Sequence, residues 1–176
     1  MSADRAPPAS LRPYLPSDAA LCAAIFRAAV KELTADDYDE DQREAWASGS
    51  DDVEAFGARL AGALTLVALA EGGPVGFASL KGDAIDMLFV APAVAGRGVG
   101  TMLLDALIKL AGARGLAKLT SDVSDTARRL FEKQGFVGQQ RNIVRKGEVW
   151  LANTTMTKTL AGAAAPAGAR HQGRGR

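Results

Sequence analysis

The stretch AIDMLFVAPAVAGRGVGTMLLDALIKLA, from Ala84 to Ala111, constrains the chain most, because a strand, a glycine-rich turn and a helix follow one another without interruption. Ile85 to Val90 is a short apolar run of strand character, Pro92 stops it, and Gly96, Gly98 and Gly100 crowd into five positions before a helical pattern begins. Val99, Met102, Leu103, Ala106, Leu107, Leu110 and Ala111 then fall on one predicted apolar stripe. The first-turn N–H groups of such a helix have no partner inside it and carry the positive end of its dipole, so a pyrophosphate there satisfies donors and charge together. Arg97 adds a full positive charge at the same end. On local spacing alone, an ordinary glycine turn between strand and helix is an equal reading.

The remaining composition narrows the chemistry. A chain of 176 residues makes one domain with a core that needs neither disulfide nor structural metal. A formal charge of +1 with 23% charged residues provides no basic field for nucleic acid and no acidic field for a polycation. Cys22 is alone, MSADRAPPAS has neither the charged start nor the apolar stretch of a signal peptide, and no apolar run nears the roughly 18 residues of a membrane span. The expected setting is therefore the cytoplasm, with no membrane or nucleic-acid partner. The one histidine, His171, lies in the aperiodic tail AGAAAPAGARHQGRGR. Hydrolases built on a histidine base and histidine-ligated zinc are disfavoured, and no metal is expected.

Read in order, residues 1–10 are a proline-rich lead-in expected to be disordered, and Leu11 to Leu15 a first strand. Ser17 is the predicted N-cap of a helix turning Leu21, Ala24, Ile25, Ala28 and Ala29 inward, with Cys22 and Phe26 near that side. An acidic connection, TADDYDEDQ, leads to a short helix over Arg43 to Trp46, and Ser50 or Asp51 caps another over Val53 to Leu60. This acidic, aromatic-bearing loop is either a wall of an acceptor pocket or a solvated charge run. Leu64 to Ala70 and Val75 to Leu80 make a hairpin around EGGP, and Ala84 to Val90 is the next strand. Ala117 to Val123 must run parallel to it after the organising helix. A helix carrying Ala127, Leu130, Phe131 and Gln134 ends at Gly135, and two antiparallel strands, Phe136 to Val144 and Glu148 to Thr159, close the chain.

Three features now carry a resemblance: LFVAPAVAGRGVGTMLLDAL, SDTARRLFEKQGF, and the order of helices, hairpin, cofactor unit and closing strand pair. Over about Leu11 to Leu160 the chain resembles the GNAT superfamily of acyl-CoA N-acyltransferases, and within it is most similar to the YafP-type branch. The resemblance implies an α/β (α+β) GNAT fold, with a mixed central sheet of six to seven strands, about four to five flanking helices, and parallel strands splayed at the cofactor cleft. It places the domain at residues 11–160 and leaves 161–176 as a disordered tail. A dinucleotide site would need the glycine loop after the first strand; Asp122 stands at a suitable distance for one, but the loop follows the fourth strand.

The same resemblance implies acetyl-CoA as cofactor, with Leu88, Phe89 and Val90 along its pantetheine arm and Ala95, Gly96, Arg97, Gly98, Val99, Gly100 and Thr101 around its pyrophosphate. Ser124 matches a position often held by asparagine near the arm, with Ala127 and Phe131 following in the second motif. Two departures stand out. Ala95 occupies a place usually held by arginine or glutamine, and Phe131 stands where many members have a tyrosine proposed to protonate the departing thiolate. Losing that proton donor costs about 10² to 10⁴ in rate.

The expected reaction is direct attack by a small-molecule amine on the acyl thioester in a ternary complex. The Leu88 backbone N–H would serve the oxyanion and Asp86 is the candidate base, on the expected strand face of Leu88 and Val90. Phe26, Asp37, Tyr38, Trp46, Ser121 and Asp122 are the acceptor candidates. Alternatives are an acyl-CoA-binding module with impaired catalysis and an N-acyltransferase acting on protein or peptide amines. A homodimer is compatible with the sequence, which leaves oligomeric state open.

Overall fold

A computed structural model describes residues 9–160. The disorder expected of residues 1–8 and 161–176 lies outside that span, whereas Ser10, expected in the lead-in, opens the first strand. The elements run β1 (Ser10–Pro13), α1 (Ala19–Leu33), α2 (Glu40–Ala47), α3 (Val53–Ala61), β2 (Leu64–Ala70), β3 (Gly73–Lys81) and β4 (Ala84–Val90). They continue with α4 (Val99–Ala113), β5 (Lys118–Ser124), α5 (Arg128–Lys133), β6 (Val137–Lys146) and β7 (Val149–Thr159). All seven strands form one sheet in the order β1-β2-β3-β4-β5-β7-β6. Only β4 and β5 pair parallel, so the sheet is mixed, as the strand–helix–strand unit requires.

Side-chain chemistry explains where the helices begin. A 3-10 turn, Pro16–Asp18, delays α1 by one residue, so Asp18 and not Ser17 occupies its N-cap position. The Asp18 carboxylate is instead spent on the Leu15 N–H at 2.8 Å and on Arg12 at 2.7 and 2.8 Å. Asp39 and Gln42 form a reciprocal capping box, which lets α2 start at Glu40 inside the acidic run; Glu40 and Asp41 there complement the helix dipole. Asp52, one residue beyond the expected caps, accepts the Ala55 N–H at 3.0 Å and starts α3.

The two faces of the sheet hold separate cores. On one face Leu103, Leu104 and Leu107 of α4 pack with Leu80, Ile85, Leu119 and Met156; on the other Cys22, Ile25, Phe26 and Val30 of α1 and Phe56 and Leu60 of α3 pack with Val67, Phe77 and Met87. Three expected core positions are exposed: Leu21, Ala24 and Leu110. In α4 the buried face runs through Leu104, because its apolar arc is wider than one stripe and the sheet selects which part is covered.

A β-bulge in β4 matters most for the site. Ser79 pairs with Met87 but Leu80 pairs with Ile85, leaving Asp86 as an extra residue on β4. Ile85, Leu88 and Val90 face the α4 core, Met87 and Phe89 face the α1 core, and Asp86 pairs with Arg59 of α3. The expectation that Asp86 shares a face with Leu88 and Val90 is thus corrected: the bulge puts Asp86 and Met87 on one side in succession.

Candidate active site

The parallel strands meet only at Ala84 and Thr120, and beyond that pair β4 and β5 diverge. At the root of the gap the Ser121 hydroxyl donates to the Ile85 carbonyl at 2.9 Å, so Ser121 ties the two strands together. The Ala91 N–H points the other way, to Val75 of β3 at 2.8 Å. Alternation along the strand therefore turns the Leu88 and Val90 backbone groups toward the gap, the orientation a backbone oxyanion donor requires.

The glycine loop fits an anionic pyrophosphate. Gly96 and Gly98 have φ of +74° and +86°, a left-handed conformation open to glycine, and no protein atom lies within 4 Å of where either Cβ would be. Gly98 is the N-cap of α4, and with no side chain to accept there, the first-turn N–H groups face outward. Gly100 is different: its Cβ would lie 3.3 Å from Leu130, so here glycine allows α4 and α5 to approach. Arg97 and Thr101 are exposed beside the loop, Val99 is buried beneath it, and Ala95 adds no polar group.

Farther along the gap, the Ser124 hydroxyl accepts the Ala127 N–H at 3.2 Å, and Ala127 and Phe131 line the cavity. Phe131 is 3% exposed and meets Phe136 edge-on at 5.0 Å. The β4–β5 gap lies in the middle of the sheet, and Leu88, Phe89, Ser124, Ala127 and Phe131 line it together.

A second cleft of about 330 Å³ opens from this gap on the α1 side. The two share Trp46, Asp86, Met87, Phe89, Asp122 and Ser124. An aromatic wall backs it: Phe89 packs edge-on against Phe26 at 4.7 Å and against Trp46 at 6.2 Å, and Trp46 meets Tyr38 at 5.5 Å. Of the acceptor candidates, Phe26, Tyr38, Trp46 and Asp122 line this cleft together, and the Phe89 side chain joins that wall.

Asp37 does not line the cleft; its carboxylate accepts the Thr126 hydroxyl at 2.7 Å, fastening the acidic loop to the turn after β5. Tyr38 reinforces that link. Its hydroxyl donates to the Ala152 carbonyl at 2.7 Å and accepts the Asp125 N–H at 3.0 Å, and burial pushes its pKa up. Asp125 is itself held by Arg141, whose hydrogen bonds keep that carboxyl below the usual range.

The two cleft carboxylates differ in what they have left to accept with. Both oxygens of Asp86 receive hydrogen bonds from Arg59, each at 2.9 Å. Asp122 accepts the Thr155 hydroxyl at 2.6 Å through Oδ1, and Thr155 in turn accepts from Asn142 at 2.8 Å. Among the described residues Oδ2 of Asp122 has no hydrogen-bond donor.

Sequence reasoning missed Phe56 and Arg59 on α3, and Val144, Lys146, Leu151 and Asn153 on the closing hairpin, all of which line the second cleft. Their only sequence signal was the period-two alternation of β6 and β7, which marks a common face but not what that face meets.

The acetyltransferase (GNAT) domain family matches residues 34–160. Escherichia coli K12 YafP, described as an uncharacterized N-acetyltransferase, is 36% identical over 146 residues, covering 83% of this chain and 93% of that protein. A Rhodopseudomonas palustris structure described as a GCN5-related N-acetyltransferase, aminotransferase class II, is 62% identical with a TM-score of 0.84, over 86% of this chain and 95% of the other. Salmonella typhimurium yncA, solved with acetyl-CoA, is 25% identical with a TM-score of 0.62, over 90% of this chain and 98% of that one. Family match, relatives and architecture agree: this chain belongs to the GNAT acetyltransferase family and is an acyltransferase.

Proposed function

We propose that the chain transfers an acetyl group from acetyl-CoA to an amine of a small molecule, by direct attack in a ternary complex. The observation that carries this reading is the junction of two cavities where β4 and β5 diverge: one is lined by the strand residues of the gap with Ala127 and Phe131, and the other by an aromatic wall. The acetyl-CoA bound to yncA supports the choice of donor. A cleft of about 330 Å³ has the size of a small-molecule site and favours that acceptor class over an extended peptide.

Residues divide by position. Ala95 to Thr101 hold the pyrophosphate with backbone amides and Arg97, while Leu88 and Val90 lend backbone groups to the pantetheine arm, beside Ser124, Ala127 and Phe131. When bound, acetyl-CoA supplies the acyl thioester. The Leu88 N–H donates to the thioester carbonyl oxygen, and the cleft holds the amine against it, where positioning alone supplies several orders of magnitude.

For the proton leaving the amine, Asp122 replaces Asp86 as the proposed acceptor. Arg59 already occupies both oxygens of Asp86, whereas Asp122 keeps Oδ2 available and is held in place through Thr155. Phe131 has no proton to give, so the thiolate is protonated by water or leaves as the anion.

Calorimetric titration with acetyl-CoA, followed by CoA release with a panel of small amines, tests this. Saturable binding with amine-dependent release is expected. Binding without release under any condition would leave an acyl-CoA-binding module, and release confined to polypeptides would move the acceptor to protein.

A further inference from the structure

The closing hairpin has a graded face along the acceptor cleft. Register pairs Asn142 with Asn153, Val144 with Leu151 and Lys146 with Val149, so these positions lie on one face of the ribbon. Asn153, Val144, Leu151 and Lys146 all line the cleft. Asn153 is paired across strands with Ser124, at the junction where acyl transfer is proposed. Val144 and Leu151 follow as an apolar middle opposite the Phe26 and Phe56 wall, and Lys146 stands at the far end.

The charge of Lys146 has no partner there. Glu148, the acid nearest in sequence, is engaged by Arg145 at 3.7 Å, and among the described residues no carboxylate forms an ion pair with Lys146. At the other end, Asp86 is neutralised by Arg59 and Asp122 keeps its free oxygen. The cleft thus runs from a carboxylate suited to an amine, through an apolar span, to an uncompensated cation.

Resting on the function proposed above, we infer that the acceptor is a primary amine carrying an anionic group, carboxylate or phosphate, at the far end of an apolar spacer. Four residue steps along β6 lead from Asn142 to Lys146, about 13 Å in an extended strand, and the flexible Lys146 stem reaches back over part of it. The amine-to-anion separation is on the order of 7–13 Å. An α-amino acid, whose amine and carboxylate share one carbon, does not bridge it.

The test compares ω-aminohexanoate and ω-aminohexyl phosphate with hexylamine and glycine, in acetyl transfer and in calorimetric binding to the CoA-loaded protein. The ω-amino anions should exceed hexylamine in kcat/KM and affinity by at least about tenfold, with glycine the weakest, and the stronger of the two anions names the group. Lys146→Met should bring the anion-to-neutral ratio close to one, and Lys146→Glu should invert it. Equal use of hexylamine and the ω-amino anions, or a ratio unmoved by Lys146→Glu, overturns the inference while leaving acetyl transfer standing. Selective binding of the anions without transfer overturns the proposed reaction and keeps the acceptor class; no binding and no transfer overturns both.

Discussion

Arg59 holds both carboxylate oxygens of Asp86, through Nε and Nη2 at 2.9 Å each, beside the bulge that carries Asp86 to the α3 side of the sheet. A carboxylate gripped in this bidentate way gives up the charge assistance of both bonds when it takes a proton, which makes it a weaker base. Its evident work is to fix α3 against β4 and to set the wall of the cleft.

Asp122→Asn should therefore lower kcat by about 10² to 10⁴, the range for losing a general base, while acetyl-CoA affinity changes little. Asp86→Asn should cost less in kcat, because one amide oxygen still accepts from Arg59. Steady-state kinetics on both variants decide the matter: a larger loss in Asp86→Asn returns the base role to that residue.

Tyr38 was expected to touch the acceptor, and it does line the cleft, but its hydroxyl is engaged by Ala152 and Asp125. Tyr38→Phe keeps the ring against Trp46 and removes both bonds, leaving two half-buried backbone groups unmatched. A loss of about 1–3 kcal/mol in stability is expected, read by chemical denaturation. Wild-type stability in this variant would mean that water replaces the hydroxyl.

The glycine loop was legible because its requirement is local: only glycine sits easily at φ of +74° and +86°, and the sequence puts glycine at both places. Element order was legible for a similar reason, since turns and apolar runs mark it directly. Asp86 was misplaced because strict period-two alternation cannot register a bulge, which exists only in the pairing of β3 with β4. Lys146 and Asn153 escaped notice because they line one cleft with Phe26 and Phe56 only once the sheet has brought the closing hairpin beside α2. Leu110 and Leu104 exchanged burial because periodicity gives the width of an apolar arc and packing gives its direction.

Asp18 ties β1 to the start of α1, and its hydrogen bonds with Arg12, ahead of the one from Leu15, hold its carboxyl below the ordinary aspartate value. Because the folded form has the lower pKa, this contribution is complete above the unfolded pKa and disappears as pH falls through the folded one. Asp18→Asn should thus lose about 1–3 kcal/mol at neutral pH, with the difference from wild type shrinking in the acid range below 3.8. Denaturation curves across that range check it, and a difference independent of pH would assign the cost to packing.

Gly98→Val places a branched side chain where the backbone is left-handed and the surroundings are open. Strain of about 1–2 kcal/mol is expected from the conformation, while the added methyls occupy space assigned to the pyrophosphate. CoA affinity should fall by more than about tenfold beyond anything the stability change explains. Titration at a temperature where the variant is fully folded separates the two effects, and unchanged affinity would reduce the loop to a turn.

Phe131 lines the gap beside Ser124 and Ala127. Phe131→Tyr keeps the edge-on contact with Phe136 and adds one hydroxyl at a position that is 3% exposed. If the hydroxyl enters the gap, it can protonate the departing thiolate, and kcat should rise by up to about 10². If it turns into the core, an unmatched hydroxyl costs about 1–3 kcal/mol and lowers Tm without raising the rate. Measuring kcat and Tm together on this variant distinguishes the outcomes. A rise in kcat identifies thiolate protonation as a slow step in the wild-type chain; unchanged kcat and Tm would mean that water already supplies the proton fast enough.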